Sequence, residues 1–209
     1  TYAFKDCKNL TKITIPNSVT FIDDKAFYCC SSLVNITIPD SVNSIGNMTF
    51  FGCAIKNINI PNSVTIIKRG AFWSCPSLTS INIPESVTSI DSIVLNECNN
   101  LKCVIINNHD CEIFDTESTI SETATIYGYE NSTAQAYAER YCRRFVSIED
   151  IGDISGNGEI DLYDAIEISK AIMGLRTFTD EEMIIADFNM DGAVDLYDAI
   201  EIARTLLPK

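Results

Sequence analysis

Histidine is almost missing from this chain: His109 is the single one among 209 residues. Chemistry that needs two imidazoles is therefore excluded, and most acid–base templates lose their base. Asp110 and Cys111 follow His109, but adjacency in sequence does not set a base against a nucleophile, so His109 reads as a loop residue. Long apolar runs are missing too. No stretch approaches 18 apolar residues, so no membrane insertion is expected. The N-terminus, Thr1-Tyr2-Ala3-Phe4, has neither a start methionine nor a basic leader and reads as that of an excised or processed piece. Basic residues are scarce: 15 Lys and Arg stand against 29 Asp and Glu, a net charge of −14. Such a field repels nucleic acid and attracts cations, so no nucleic-acid partner is expected.

With 46% hydrophobic and 21% charged residues, the chain is long enough for one large domain or two smaller ones around packed cores. The charge is unevenly placed. Residues 150–209 hold 14 acids against 4 bases, whereas residues 1–149 hold 15 against 11.

The first half repeats itself. Leu10, Ile13, Ile15, Pro16, Ser18, Val19 and Ile22 recur 23 residues later as Leu33, Ile36, Ile38, Pro39, Ser41, Val42 and Ile45. Further copies start at Ile55 and Leu78, and a fifth degenerates at Leu101, Val104 and Ile106. Between them recur Ala3-Phe4, Ala26-Phe27, Thr49-Phe50, Ala71-Phe72 and Val94-Leu95, followed by Cys7, Cys30, Cys53, Cys75 and Cys98. This period and the Leu-x-x-Ile-x-Ile core describe a leucine-rich repeat solenoid, whose coils bury their apolar set only by stacking. The Ile-Pro-x-Ser-Val and Ala-Phe-x-x-Cys words resemble the BspA-like class of bacterial surface leucine-rich repeats.

Strand alternation turns Lys12, Thr14, Asn35, Thr37, Asn57, Asn59, Ser80, Asn82, Cys103 and Ile105 outward. Small amides and hydroxyls stacked at about 4.8 Å suit a hydrogen-bonded ladder, and a protein- or glycan-binding face is the alternative. No aromatic platform sits among them, which weakens the glycan version. The five periodic cysteines occupy small apolar slots and read as buried thiols. One bridge among Cys29, Cys103, Cys111 and Cys142 remains open, and an odd total of nine leaves at least one unpaired. No Cys-x-x-Cys pair exists and one histidine cannot complete a zinc set.

Residues 111–148 look built to close the array. Ser132 and Gln135 form a capping box, and Ala134, Tyr137, Ala138 and Tyr141 mark a one-faced helix between a turn at Gly128 and a strand at Phe145–Ile148. The array starts inside a repeat, from which further coils upstream are expected.

Residues 153–164 and 187–198 are two twelve-residue loops offset by 34. A calcium loop wants oxygen ligands at its first, third, fifth, seventh, ninth and twelfth places and glycine at the sixth. The first offers Asp153, Ser155, Asn157, the Glu159 carbonyl, Asp161 and Asp164 around Gly158. The second offers Asp187, Asn189, Asp191, the Ala193 carbonyl, Asp195 and Asp198 around Gly192. Oxygen-only donors point to calcium, two ions in all, with the first loop the weaker because Ser155 and Asn157 replace acids.

The last ligand is Asp where an EF-hand has Glu, and no long helix precedes the first loop. Over residues 152–207 these features resemble a type I dockerin. That resemblance implies folding on calcium, a cohesin domain of a scaffoldin as partner, and Leu162-Tyr163 and Leu196-Tyr197 as recognition pairs. The residues themselves add an independent reason. On a helical wheel Ala165, Ile168, Ile172 and Ala199, Ile202, Leu206 face a small core. Opposite them lie Leu162, Ile166, Ser169 and Lys170, matched by Leu196, Ile200, Ala203 and Arg204, two stripes that small domains rarely expose without a partner. Nearly identical stripes allow docking in two orientations about 180° apart. Thr179 and Glu182 cap a short helix toward Ala186.

The expected architecture is a two-domain α+β chain. Residues 1–149 form a leucine-rich repeat β-solenoid with a helical C-terminal cap from about 111, and residues 150–209 an all-α dockerin with two calcium-binding loop-helix motifs. The expected function is calcium-dependent docking of a non-catalytic, secreted repeat array onto a cell-surface cellulosome-type scaffold, the array's own ligand being unidentified. The alternative is a surface adhesin or substrate-binding protein whose dockerin only anchors it. No catalytic residue is assigned; an enzyme would have to use Cys111 or a repeat cysteine.

Overall fold

The structure, a computed structural model, describes residues 1–188 and 193–207. The chain divides into two compact units, Thr1–Val146 and Ser147–Lys209. In chain order the first holds β1 (Lys12–Thr14), β2 (Asn35–Thr37), β3 (Ser44–Ile45), β4 (Ile66–Ile67), β5 (Ser80–Ile83), β6 (Ser89–Ile90), β7 (Cys103–Ile106), β8 (Glu112–Ile113), β9 (Thr125–Gly128) and α1 (Thr133–Arg140), with β10 (Phe145–Ser147) at its end.

Every registered pairing is parallel and joins the same place in successive coils. On one face Ile13 pairs with Ile36, and Ile81 with Val104 and then Ile126, the third coil entering through the bridge Asn59 to Asn82. These form two sheets, β1-β2 and β10-β9-β7-β5, and a third on another face runs Ile22, Ile45, Ile67, Ile90, Ile113. The segment after each Ser-Val is thus a paired strand and more than a return path. Counted this way the solenoid has about six turns. The sixth, carrying β8 and β9, is made from residues expected to belong to the cap.

The corner carrying each Phe, and Leu95 in the fifth coil, is held by backbone. Residues two before and two after it take positive φ: Tyr2 and Asp6, Lys25 and Cys29, Met48 and Gly52, Gly70 and Ser74, Ile93 and Glu97. Only two of these ten are glycine, although a side chain there costs about 1–2 kcal/mol. What offsets the strain is that alternate N–H groups now point along the solenoid. Tyr2, Phe4 and Asp6 donate to the carbonyls of Asp24, Ala26 and Tyr28 at 3.2, 2.8 and 2.8 Å, and the later coils repeat this.

The buried Phe27, Phe50 and Phe72, with the exposed Phe4 of the first coil ahead of them, stack with centroids 5.3, 5.5 and 5.4 Å apart. Cys30, Cys53, Cys75 and Cys98 are fully buried free thiols, each donating to the carbonyl of the Phe one coil back at 3.0–3.2 Å. Cys7, in the first coil, is exposed. All nine cysteines are free, so the bridge left open for Cys29, Cys103, Cys111 and Cys142 is not formed. The serine of the Ile-Pro-x-Ser-Val word has a similar task. Ser41, Ser63 and Ser86 donate to the carbonyls of Val19, Val42 and Val64 at 2.6–2.7 Å.

Further sequence expectations for this unit need correction. Ile105, expected on the outer face, is buried, because its partner Tyr127 in β9 is itself fully buried and the sheet continues into β10. Gly128 ends β9 and makes no turn: a Cβ there would meet Ala134 at 2.9 Å, so glycine lets α1 approach the sheet. The cap helix starts at Ser132, which accepts from the Gln135 N–H, while Gln135 accepts from Asn131, one residue earlier than a reciprocal box would have it. Tyr137, buried, accepts from the Ile120 N–H and donates to the Thr116 carbonyl, fastening helix to last coil.

The second unit has α2 (Leu162–Ile172), α3 (Asp180–Ala186) and α4 (Leu196–Thr205) around a small core of Ile154, Ala165, Ile168, Ala186, Ala199 and Ile202. Ile172 and Leu206, expected in that core, are 44% and 43% exposed, since they lie at the helix ends beyond its reach.

The stacked ring and the strained corner make opposite predictions. Phe50→Ala should cost about 3–5 kcal/mol through its cavity, whereas Ser74→Gly should stabilise by about 1 kcal/mol by relieving a positive φ. Denaturant unfolding followed by the fluorescence of Trp73, the only tryptophan, reads both.

Candidate functional site

In the first acidic loop Asp153 does most of the shaping. One carboxylate oxygen accepts from the Ser155 hydroxyl at 3.1 Å and from the Gly156 and Asn157 N–H groups at 2.8 and 3.1 Å, and the other from Gly158 N–H at 2.7 Å. Desolvation works to raise its pKa, but the donors from Gly158, Ser155, Asn157 and Gly156 outweigh it and hold the carboxyl below the usual range. Gly158 takes φ +86° with nothing near its missing Cβ, so conformation rather than space calls for glycine at the sixth place.

The end of each loop is also the start of a helix. Asp161 is the N-cap of α2 and accepts from the Tyr163 N–H at 2.6 Å, while Asp164 accepts from the Asp161 N–H at 2.8 Å. Asp195 and Asp198 repeat this at α4 with distances of 2.7 and 2.8 Å. Ninth and twelfth loop residues are therefore N-cap and third residue of a reciprocal capping box, a second role that the Asp-Leu-Tyr-Asp spacing could have revealed. Asp164 and Asp198 are fully buried, and Ser155 N–H gives Asp164 a second donor at 2.9 Å.

The donor set suits a hard cation. Asp153, Asp161 and Asp164, the Ser155 hydroxyl, the Asn157 carboxamide and the Glu159 carbonyl share one short turn and offer oxygen alone. Among the described residues no group of three or more His, Cys, Asp or Glu gathers to hold a metal; the set relies on neutral oxygens beside its carboxylates. In the second loop Asp187, Ala193, Asp195 and Asp198 are described, whereas Asn189, Asp191 and Gly192 lie outside the described residues.

Away from the core, the helices expose Leu162, Tyr163 and Ile166 on α2 at 58, 55 and 43%, and Leu196 and Tyr197 on α4 at 57 and 66%. Ser169, Lys170, Ile200 and Ala203 are half-buried and Arg204 is exposed. Lys170 pairs with Glu167 at 2.7 Å and stands 5.7 Å from the Tyr163 ring. Sequence reading missed the network behind it: Arg176 bonds Glu167 and, at 2.6 Å, Glu182, linking α2 to α3. Lys170 and then Arg176 hold the Glu167 carboxyl below its ordinary range. The Glu167–Lys170 spacing is a sequence signal for the first pair; nothing in the sequence points to Arg176. Thr179 and Glu182 form the expected capping box of α3.

The Cys111 and Cys53 thiols are held protonated, whereas the hydrogen bond from Cys75 lowers the pKa of the fully buried Cys98. Burial first, then Glu112, pushes the Cys111 thiol up to about 12, and burial likewise raises Cys53 to about 12. His109 lies exposed, 2.7 Å from Asp110. No helix among the described residues is long and apolar enough to cross a membrane.

Residues 1–121 match the family model of the BspA type leucine-rich repeat region in six copies, one more than the sequence reading counted. Residues 151–207 match that of the dockerin type I domain. Among solved structures the chain is similar to the leucine-rich repeat protein of T. pallidum, 24% identical over 70% of this chain and 77% of that one, TM-score 0.52. It is similar also to the pneumococcal vaccine antigen PcpA, 18% identical over 67% and 42%, TM-score 0.52. Both are likenesses of fold. No curated protein matches the chain. Repeat regions and dockerins are non-catalytic interaction modules, the dockerin supporting docking onto a cohesin and the repeats protein interaction. With more than half its length in the six-copy match, the chain belongs to the BspA type leucine-rich repeat family and carries a type I dockerin domain.

Proposed function

We propose that this protein is a non-catalytic, secreted repeat module docked onto the cohesin of a cellulosome-type scaffold by a calcium-loaded dockerin. The observation that carries the reading is the pair of exposed Leu-Tyr faces, Leu162-Tyr163 and Leu196-Tyr197, standing at the same place on two helices whose other sides share one core. Large apolar and aromatic side chains held open on rigid helices are what a partner's pocket anchors. Ile166, Ser169 and Lys170, with Ile200, Ala203 and Arg204, complete the contact surface, the cations at its rim.

Type I dockerins bind calcium, and two ions are proposed here. Asp153, Ser155, Asn157, the Glu159 carbonyl, Asp161 and Asp164 would hold one, and Asp187, Asn189, Asp191, the Ala193 carbonyl, Asp195 and Asp198 the other. The ion supplies positive charge that neutralises converging carboxylates and ties each loop to the helix it caps. With a core that among the described residues is six small or aliphatic side chains edged by the partly buried Ile160, Phe178, Ile185, Phe188 and Val194, the unit depends on that contribution for folding.

Pull-down on a type I cohesin should succeed in calcium and fail in chelator, with helical circular dichroism lost in parallel. Replacing one Leu-Tyr pair by alanines should weaken docking less than tenfold, and replacing both should abolish it; if one pair alone abolishes docking, the two faces are not equivalent. Calcium titration should fill the second loop before the first.

Acid should act on the Arg176 network. Because the folded pKa of Glu167 lies below its unfolded value, its contribution is full at neutral pH and is lost as pH falls through the folded value. Glu167→Gln should therefore flatten the acid limb of the stability profile for residues 147–209, read by helical circular dichroism with calcium held saturating.

A further inference from the structure

The sequence places no aromatic ring on the outer strand face, but folding assembles a row elsewhere. The residues directly after the stacked Phe column are Lys5, Tyr28, Phe51, Trp73 and then Asn96, one per coil. Tyr28 and Phe51 stack at 4.7 Å and 16°, and Lys5 and Lys25 stand 5.7 and 5.9 Å from the Tyr28 ring, so neighbours take up the Tyr28 faces. Trp73, half-buried, turns across the row at 69° to Phe51, with centroids 4.8 Å apart. Its Nε1 is buried without a hydrogen-bond partner, so the ring's carbon surface is what it presents.

Where Asn96 takes over from Trp73, a cleft of about 620 Å³ opens, lined by Asn96, Glu97, Asn99, Glu117, Glu122 and Arg143 among others. Arg143 is fixed, with only 9% of its side chain exposed; Nη1 donates to the Tyr141 carbonyl at 3.3 Å and Nη2 to the Glu117 carbonyl at 3.2 Å. Its Nη2 also stands 3.9 Å from the Glu117 carboxylate, so the guanidinium is a fixed positive charge at the edge of the cleft while its Nε is buried behind.

This chemistry narrows the ligand. Three carboxylates against one guanidinium repel anions. Among the described residues Glu97, Glu117 and Glu122 do not gather as a metal-holding group, and no capping loop brings neutral oxygens to them as in the acidic turns. An apolar ligand would leave the amides and carboxylates unpaired at a cost. A molecule dense in hydroxyls suits the lining: adjacent hydroxyls donate in pairs to a carboxylate and carboxamides give and accept, and a chain of sugars long enough to pass Asn96 lays a C–H face against the Trp73 indole of the coil before, which is outside the lining itself. We propose that this cleft, with Trp73 beside it, binds a neutral oligosaccharide. The proposal rests on the reading of the array as the ligand-presenting part of a docked protein and adds the class of ligand.

The test titrates the full chain in calcium with cellohexaose, xylohexaose and mannohexaose, using trigalacturonate as the anionic control, by calorimetry and by the emission of the sole tryptophan. At least one neutral hexasaccharide should bind saturably with Kd below ~1 mM and shift the emission. Trp73→Ala and Glu122→Gln should each weaken it about tenfold; the second variant changes an exposed side chain and keeps the test open should the first unfold the array. Absence of heat and of any emission change with all three sugars, response to trigalacturonate alone, or unchanged affinity in Glu122→Gln overturns the proposal. Cohesin docking measured on the same samples separates the two readings: its loss with sugar binding intact counts against docking, and the reverse against the cleft.

Discussion

No coil of this protein can bury its own apolar residues, and the rest of the repeat unit follows from that constraint. A single turn exposes Phe, Cys, Leu and Ile on both sides; only a neighbour in register covers them. Register is accordingly fixed several times per coil. Parallel strands pair like with like, Ile13 to Ile36, Ile81 to Val104 to Ile126 and Ile45 to Ile67 to Ile90. The corner adds backbone bonds through residues at positive φ, and the buried thiols and serine hydroxyls add side-chain bonds to the preceding coil. Each such bond contributes only about 0.5–1.5 kcal/mol, yet a slip by one coil position would leave a buried donor in every turn unsatisfied.

The second unit solves the opposite problem. Its core is too small to specify much, so polar groups do the specifying. Asp161 and Asp164, and again Asp195 and Asp198, close a loop and open a helix with the same carboxylates. That economy fixes the first residues of α2 and α4, and with them Leu162-Tyr163 and Leu196-Tyr197, which therefore project at the same place on both helices. The Glu167, Arg176 and Glu182 network holds the connection between them.

The same coil repeat that buries one aromatic column creates a second on the surface. Residues after the Phe cannot point inward without displacing it, so Tyr28, Phe51 and Trp73 are brought together outside, although they stand 23 and 22 positions apart in sequence. The row ends at the polar cleft because the fifth coil places Asn96 there and the cap contributes Arg143.

By itself the sequence determined the periodic features: the solenoid, its Phe and Cys columns, which are buried from the second coil onward, the capping box of α3, the paired acidic loops and the exposed Leu-Tyr stripes. These were legible because each is a local pattern whose spacing equals a structural period. Tertiary structure alone decided what depends on a neighbour absent from the local sequence. It made a sixth coil out of residues read as cap, since β8 and β9 find parallel partners in the coil before. It buried Ile105 under the continuing sheet, took Gly128 out of a turn and into helix contact, and left Ile172 and Leu206 exposed beyond a short core. It set Arg176 against Glu167 nine residues away, and it gathered the aromatic row. Period reveals which residues recur; only stacking determines what each of them meets.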